Sequence, residues 1–320
     1  MSEEMDTSVD FNASELLIHE DSRGVVTATL NRPEKRNAFS LNILLRLYSL
    51  FVELEQTPSC QCLILRGACD TFCSGMDLHE ALYGLSTPRA TVQELGLDAS
   101  VISCLGEDYA TAPSGLIMPA LVQRVMSMSI SSRFPVVGVA DGNARGGGVG
   151  LLCACDYVVA SERFCGGLTE TRLGFMPSLL LPFLRRKLTA CGLQSASLSG
   201  SVFSARDAQR FGLAHRVVPS DLTPTAVDNV VGNFVLNHSG ATSYFKSEMS
   251  RTLLPPEQEQ IDALRTHWES WNSADGREGV MAFLEKRVAK FLLSNRAQVQ
   301  EAGDVDATEP PQEPDAPQQQ

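Results

Sequence analysis

The chain has 320 residues, 43% of them hydrophobic, and a formal net charge of −12. Four acids in residues 1–10 and six in 297–320, with no base in either segment, carry most of that charge and leave the body of the chain close to neutral. No basic stripe suits nucleic acid. No apolar run reaches the roughly 18–20 residues of a membrane span, and the acidic N-terminus has neither an apolar core nor an Arg-rich pattern of an address peptide. A cytoplasmic location is favoured, with a mitochondrial one left open.

Residues 1–12 are polar and are expected to be flexible. Val25 to Leu30 is a β-branched strand, followed by a polar loop, Asn31-Arg32-Pro33-Glu34-Lys35-Arg36-Asn37-Ala38. Ser40 can cap a helix running through Glu55, because Leu41, Leu44, Leu45, Tyr48, Phe51 and Val52 recur at helical spacing. Cys62 to Leu65 is a second strand, 67–72 a turn, and 81–120 a long insertion with some helix, of the kind used as a lid or partner surface. Helical spacing resumes over 119–132. Val136 to Ala140 reads as a buried strand that stops at Asp141-Gly142-Asn143. A short helix is expected over 149–155, another within 179–188, and a third over 205–213 that ends at Gly212. From 223 to 296 the chain reads as helical, with breaks near Ser239-Gly240, Pro255-Pro256 and Ala274-Asp275-Gly276. Residues 297–320, rich in Pro, Gln and acids, are expected to be disordered. Strands alternating with helices over 13–222, then helices alone, give an α/β core with a helical C-terminal region.

Nine cysteines include Cys60 with Cys62 and Cys153 with Cys155, spacings that match no metal or redox motif, and read as reduced thiols filling core space. Five scattered histidines make no metal-ligand pattern, so no metal is expected. Gly146, Gly147 and Gly148 follow the strand at 136–140 and precede an apolar run. Strand, glycine turn and helix expose backbone N–H groups at a positive helix end, a natural oxyanion or phosphate site. Three glycines also permit tight packing alone. A P-loop pattern is absent, a dinucleotide fingerprint would need glycine where Leu151 stands, and no Gly-x-Ser-x-Gly elbow occurs, which leaves an oxyanion site.

Five stretches in order carry a resemblance: Leu30 to Ala38; Phe72-Cys73-Ser74-Gly75-Met76-Asp77-Leu78; Asp141 to Gly148; Glu170-Thr171-Arg172-Leu173-Gly174-Phe175-Met176-Pro177; and Arg277 to Arg287. Together they resemble the crotonase superfamily of enoyl-CoA hydratases and isomerases, over about Val25 to Phe291. The pattern is most similar to methylglutaconyl-CoA hydratase-like members. The resemblance implies a spiral of ββα units, trimers or hexamers, and an acyl-CoA thioester as substrate. No cofactor is implied beyond the coenzyme A that the substrate carries. It makes the backbone N–H groups of Met76 and Gly147 an oxyanion hole and Glu170 the proton-transfer group. It places Lys35, Arg36, Ser74, Gly75, Asp77, His79, Phe283 and Lys286 along the CoA-binding surface. Two-glutamate hydratases carry a further carboxylate where this chain has Gly150. By its residue type alone Lys246 reads as a solvated helix charge, and Asp77 as a loop-building acid. The implied activities are hydration of an enoyl-CoA, migration of its double bond, or retained CoA binding in a non-catalytic scaffold.

Overall fold

The computed structural model describes residues 13–83 and 114–293. The expectations for 1–12, for 84–113 of the insertion and for the 297–320 tail lie outside the described residues.

A six-stranded sheet is ordered β1 (Leu16–Glu20), β2 (Val25–Leu30), β3 (Cys62–Gly67), β5 (Val136–Ala140), β7 (Tyr157–Ser161), β10 (Arg216–Val218). Only the β1–β2 pair is antiparallel. A smaller sheet joins β4 (Thr71–Cys73), β6 (Asn143–Arg145), β8 (Cys165–Gly167) and β9 (Val202–Ser204). Three times in succession the chain runs through one strand of the large sheet and then one of the small sheet: β3 to β4, β5 to β6, β7 to β8. Each pass then turns into a helix or a helical turn. This is the crotonase-like spiral of ββα units, and the C-terminal region is helical as expected. The turn anticipated over 67–72 is shorter than that, because Thr71 to Cys73 already pair with the second sheet.

Local chemistry explains the elements. The Ser40 hydroxyl accepts from the Ile43 N–H at 3.0 Å and starts α1 (Leu41–Glu55). That helix buries Ile43, Leu44, Leu47 and Phe51 against the large sheet and against α3 (Ser114–Ser131). Val136 to Ala140 are buried on both faces, as a central parallel strand requires. In the C-terminal region α8 (Thr223–Val235), α9 (Ser239–Leu253), α10 (Glu257–Asn272) and α11 (Ala274–Leu284) end at the Ser, Gly and Pro breaks read from the sequence. Among the described residues no helix is long and apolar enough to cross a membrane.

Two sequence readings need correction. Lys246 is not solvated: it is 5% exposed on α9. Its Nζ donates to Ser129 O (3.0 Å), Ser132 Oγ (2.8 Å), Phe134 O (2.9 Å) and Asp156 Oδ2 (2.6 Å). The orphan carbonyls at the end of α3 supply the reason, since a cation there meets the negative end of the helix. The cysteines are only partly core. Cys60, Cys62, Cys73, Cys153 and Cys155 are buried, but Cys69 and Cys191 are exposed. Burial pushes the Cys73 and Cys153 thiols up to about 12, so both are inert at neutral pH.

Candidate active site

Strands β4, β6 and β8 lie side by side and parallel, so their C-terminal ends open onto one edge of the small sheet. Ser74 to Met76 leave the end of β4, Gly146 and Gly147 the end of β6, and Thr169 and Glu170 follow β8. All of these residues line one cavity of about 360 Å³. Three equivalent junctions of the spiral thus deliver three groups to one place.

The first junction is braced from the loop before α1. Asn37, fully buried and left-handed (φ 53°), donates from Nδ2 to Ala68 O at 2.9 Å and to Thr71 O at 2.6 Å. The Ser74 N–H donates to Arg36 O, the Phe39 N–H to Gly75 O, and the Asp77 N–H to Phe39 O. Gly75 has φ +90°, and a Cβ there would meet Arg145 O at 2.9 Å and the Gly147 nitrogen at 3.4 Å. The two loops therefore approach more closely than a side chain at 75 would permit.

At the second junction Gly146 has φ +47°, and a Cβ on it would lie 2.8 Å from Glu170 Oε1. A Cβ on Gly148 would lie 2.3 Å from Cys73 O, which fixes α4 (Gly147–Cys153) against the first junction. Among the described residues neither the Met76 nor the Gly147 N–H donates to a backbone carbonyl. Two uncommitted backbone donors on one cavity wall can hold an oxyanion.

At the third junction Glu170 opens a 3₁₀ turn, Glu170–Leu173, closed by left-handed Gly174. This turn is seated on α11: a Cβ on Gly279 would lie 2.0 Å from Leu173 O. The side chain keeps some exposure along the cavity, but its Oε2 is buried without a hydrogen-bond partner among the described residues. Burial raises its pKa to about 7, a shift that a backbone hydrogen bond only partly opposes. A carboxyl poised near neutrality can both take and return a proton.

Of the residues anticipated from sequence, Arg36, Ser74, Gly75, Met76, Gly147, Glu170 and Phe283 line the cavity, and Lys35, Asp77, His79 and Lys286 do not. Lys35 and Lys286 are exposed. His79 packs on the Tyr83 ring at 4.9 Å. Asp77 is committed to structure, accepting from the His79 and Glu80 N–H groups and pairing with Arg32 at 3.3 Å. Gly150 lies behind the wall. A Cβ there would meet Leu180 Cδ2 at 2.8 Å and the Met126 Sδ and Cε at 3.3 Å, so apolar side chains fill the direction a second carboxylate would take.

The far wall comes from residues that sequence reading missed: Val122 of α3, Phe175, Leu179, Leu180 and His267 of α10. His267 is 4% exposed and lies edge-on to Phe175, with ring centroids 6.0 Å apart. A signal existed, since Leu264, His267 and Trp271 share one helical face and all are buried. Among the described residues no group of three or more His, Cys, Asp or Glu is placed to hold a metal ion.

Comparison with known proteins identifies the family and agrees with the fold. The profile of the Enoyl-CoA hydratase/isomerase family matches residues 20–100 and 116–293. A 1,2-epoxyphenylacetyl-CoA isomerase of Escherichia coli is 26% identical over 87% of this chain and 98% of its own length. A mevalonyl-coenzyme A hydratase of Aspergillus fumigatus is 30% identical over 84% of this chain and 92% of its own. A crystal structure of a putative enoyl-CoA hydratase from Mycobacterium avium paratuberculosis superposes with a TM-score of 0.69 at 26% identity, covering 86% of this chain and 98% of that one. With the profile matching most of its length and the spiral built as that family builds it, the chain belongs to the enoyl-CoA hydratase/isomerase family of the crotonase superfamily.

Proposed function

We propose that the protein hydrates a 2-enoyl-CoA, with Met76 and Gly147 N–H groups holding the thioester oxygen and Glu170 moving the proton. The observation that carries this reading is the convergence on one cavity of two uncommitted backbone donors and a buried carboxyl with a pKa near 7. As the α-carbon gains enolate character, negative charge collects on the thioester oxygen. One preorganised donor of this kind is worth roughly 3 kcal/mol in a hydrolase. Glu170 then activates the attacking water or delivers the proton to the α-carbon. Arg36, Ser74, Gly75 and Phe283 would flank the CoA portion, with Lys35, His79 and Lys286 reaching it only from outside the cavity. No cofactor beyond the substrate's own CoA enters the reading. A branched, methylglutaconyl-like acyl group is the substrate favoured by the sequence pattern.

A second reading has its own observation. Gly150 supplies no carboxylate and Leu180 fills its neighbourhood, so a single acid–base group serves the site. One carboxyl can shuttle a proton between two carbons and move a double bond without adding water. Incubation with crotonyl-CoA and a branched glutaconyl-CoA in deuterated water, followed by mass spectrometry, separates the two. A gain of one water supports hydration. Deuterium uptake with double-bond migration and no hydration overturns it in favour of isomerisation, and no turnover of any acyl-CoA favours a CoA-binding scaffold.

We further propose assembly as a homotrimer or homohexamer. It rests on the family match and on apolar side chains left exposed on the C-terminal helices, such as Leu236 at 85% and Phe245 at 66%. Light scattering that shows a monomer at micromolar concentration would overturn it.

A further inference from the structure

Phe39 reaches both of the proposed oxyanion donors without lining the cavity itself. Its backbone forms a parallel bridge to Met76: the Phe39 N–H donates to Gly75 O at 2.8 Å, and its carbonyl accepts from the Asp77 N–H at 3.0 Å. Along an extended segment, successive backbone groups alternate in direction. With Gly75 O and the Asp77 N–H turned toward Phe39, the Met76 N–H is turned away from it. The Phe39 ring, 2% exposed, lies on the second donor. A Cβ on Gly147 would meet Phe39 Cε2 at 3.2 Å and Cδ2 at 3.4 Å, so the ring fills the place of the side chain that Gly147 lacks. One residue thus holds the first donor by its backbone and the second by its side chain.

Phe39 is in turn held in place. Arg32 Nη1 donates to Ala38 O at 3.1 Å, and the same guanidinium pairs with Asp77 at 3.3 Å and with Glu15 at 3.4 Å. The residue before Phe39 and the residue after Met76 are therefore tied to one largely buried cation. Core filling alone would account for a buried phenylalanine, and the ring does belong to the main hydrophobic core. It does not account for the same residue bridging one donor and packing on the other. Two donors stabilise an oxyanion only where they converge on one point, and a misplacement of about 1 Å can cost about 10²-fold in rate. A close-packed ring is a stiff spacer for that purpose, since a void beside Gly147 would let its loop relax.

We propose that Phe39 is a positioning residue that sets the separation of the Met76 and Gly147 N–H groups, so that both converge on one thioester oxygen. The inference rests on the reading that these two donors hold that oxygen.

Acetoacetyl-CoA and butanoyl-CoA test it on the full chain without requiring turnover. The first can lose its α-proton to give an enolate, which absorbs in the ultraviolet and carries negative charge on the thioester oxygen; the second stays neutral. Wild type is expected to raise the enolate fraction of bound acetoacetyl-CoA above that of the free thioester at the same pH. Phe39→Ala should lower the ratio of bound enolate to bound keto form by about 10²-fold, and Phe39→Leu by about tenfold. Butanoyl-CoA affinity should stay within about threefold, because a neutral carbonyl gains much less from the donors than an oxyanion does. The leucine variant keeps the test open if alanine unfolds the core. Variants that melt earlier yet keep the wild-type enolate ratio would reduce the ring to core filling and overturn the proposal. An equal fall in butanoyl-CoA affinity would overturn it too, by showing a general loss of the cavity. No enrichment of the enolate by wild type would remove the oxyanion-hole reading itself, and the proposal with it.

Discussion

Two regions of the molecule bury an ionisable side chain, and they treat it oppositely. Around Lys246 the fold supplies four acceptors, one of them the Asp156 carboxylate. Around Glu170 it leaves Oε2 with none. A buried charge that is fully paired locks elements together, here the end of α3 to α9 and to Asp156. A buried carboxyl left unpaired costs stability and is retained where a reaction uses it. On the proposed reading, the contrast separates structural from chemical burial without reference to sequence position.

The comparison breaks most sharply at Glu170. Glu170→Gln keeps size and packing and should reduce turnover by about 10²–10⁴-fold, the usual contribution of a positioned acid–base group. Acyl-CoA affinity should change little, because the proposed oxyanion donors are backbone; unchanged turnover would mean that the orphan carboxyl is not chemical. Lys246→Met should do the reverse. It leaves the acceptors unpaired and should lower unfolding free energy by on the order of 3 kcal/mol, read by denaturant titration. The rate per folded molecule should stay at the wild-type value, and a loss of rate with stability intact would move Lys246 into the site.

The pH dependence of stability sharpens the same contrast. Glu170 has a folded pKa of about 7 against 4.5 ordinarily, so the native state binds its proton more tightly. That contribution is complete below about 4.5 and is lost as pH rises through 7. His215 and His267, lowered by burial from 6.5 to about 4, act in the opposite direction, their contribution being complete above 6.5 and lost as pH falls toward 4. Glu170→Gln should therefore match wild type near pH 4.5 and become more stable than it toward pH 8, by up to about 3 kcal/mol. A stability difference that does not vary with pH would contradict the raised pKa. Gly150→Glu adds another unpaired carboxyl, wedged against Leu180 and Met126, and should cost roughly 1–3 kcal/mol by overpacking. A gain in hydration rate would show that Leu180 yields. The smallest effect is expected from deletion of 297–320, with melting temperature and CoA affinity both unchanged; a large fall in either would show that the acidic tail takes part in the fold.

Much of the fold was legible because apolar periodicity and caps are local signals. Strands 25–30 and 136–140, the Ser40 cap and the three breaks between C-terminal helices follow from residues within one turn of each other. The lining by Met76, Gly147 and Glu170 was legible only through resemblance, since nothing local says that β4, β6 and β8 are neighbours. Lys246 was misread because its acceptors lie 90 to 117 residues away in sequence. His267 was missed because a histidine in an apolar helical stripe looks like a packed core residue until the cavity beside it is seen. Lys35, His79 and Lys286 point to the opposite limit, since a motif places a residue near a site without fixing where its side chain sits.

The close seating of Leu173 on Gly279 also sets when the site comes into being. Synthesis completes the two proposed oxyanion donors by residue 147 and the carboxyl by 170, yet the turn that carries the carboxyl rests on a helix more than a hundred residues later. A chain stopped short of that helix lacks the surface on which the turn carrying Glu170 rests. The last third of the chain therefore acts as the closing half of a mould around the turn that carries Glu170.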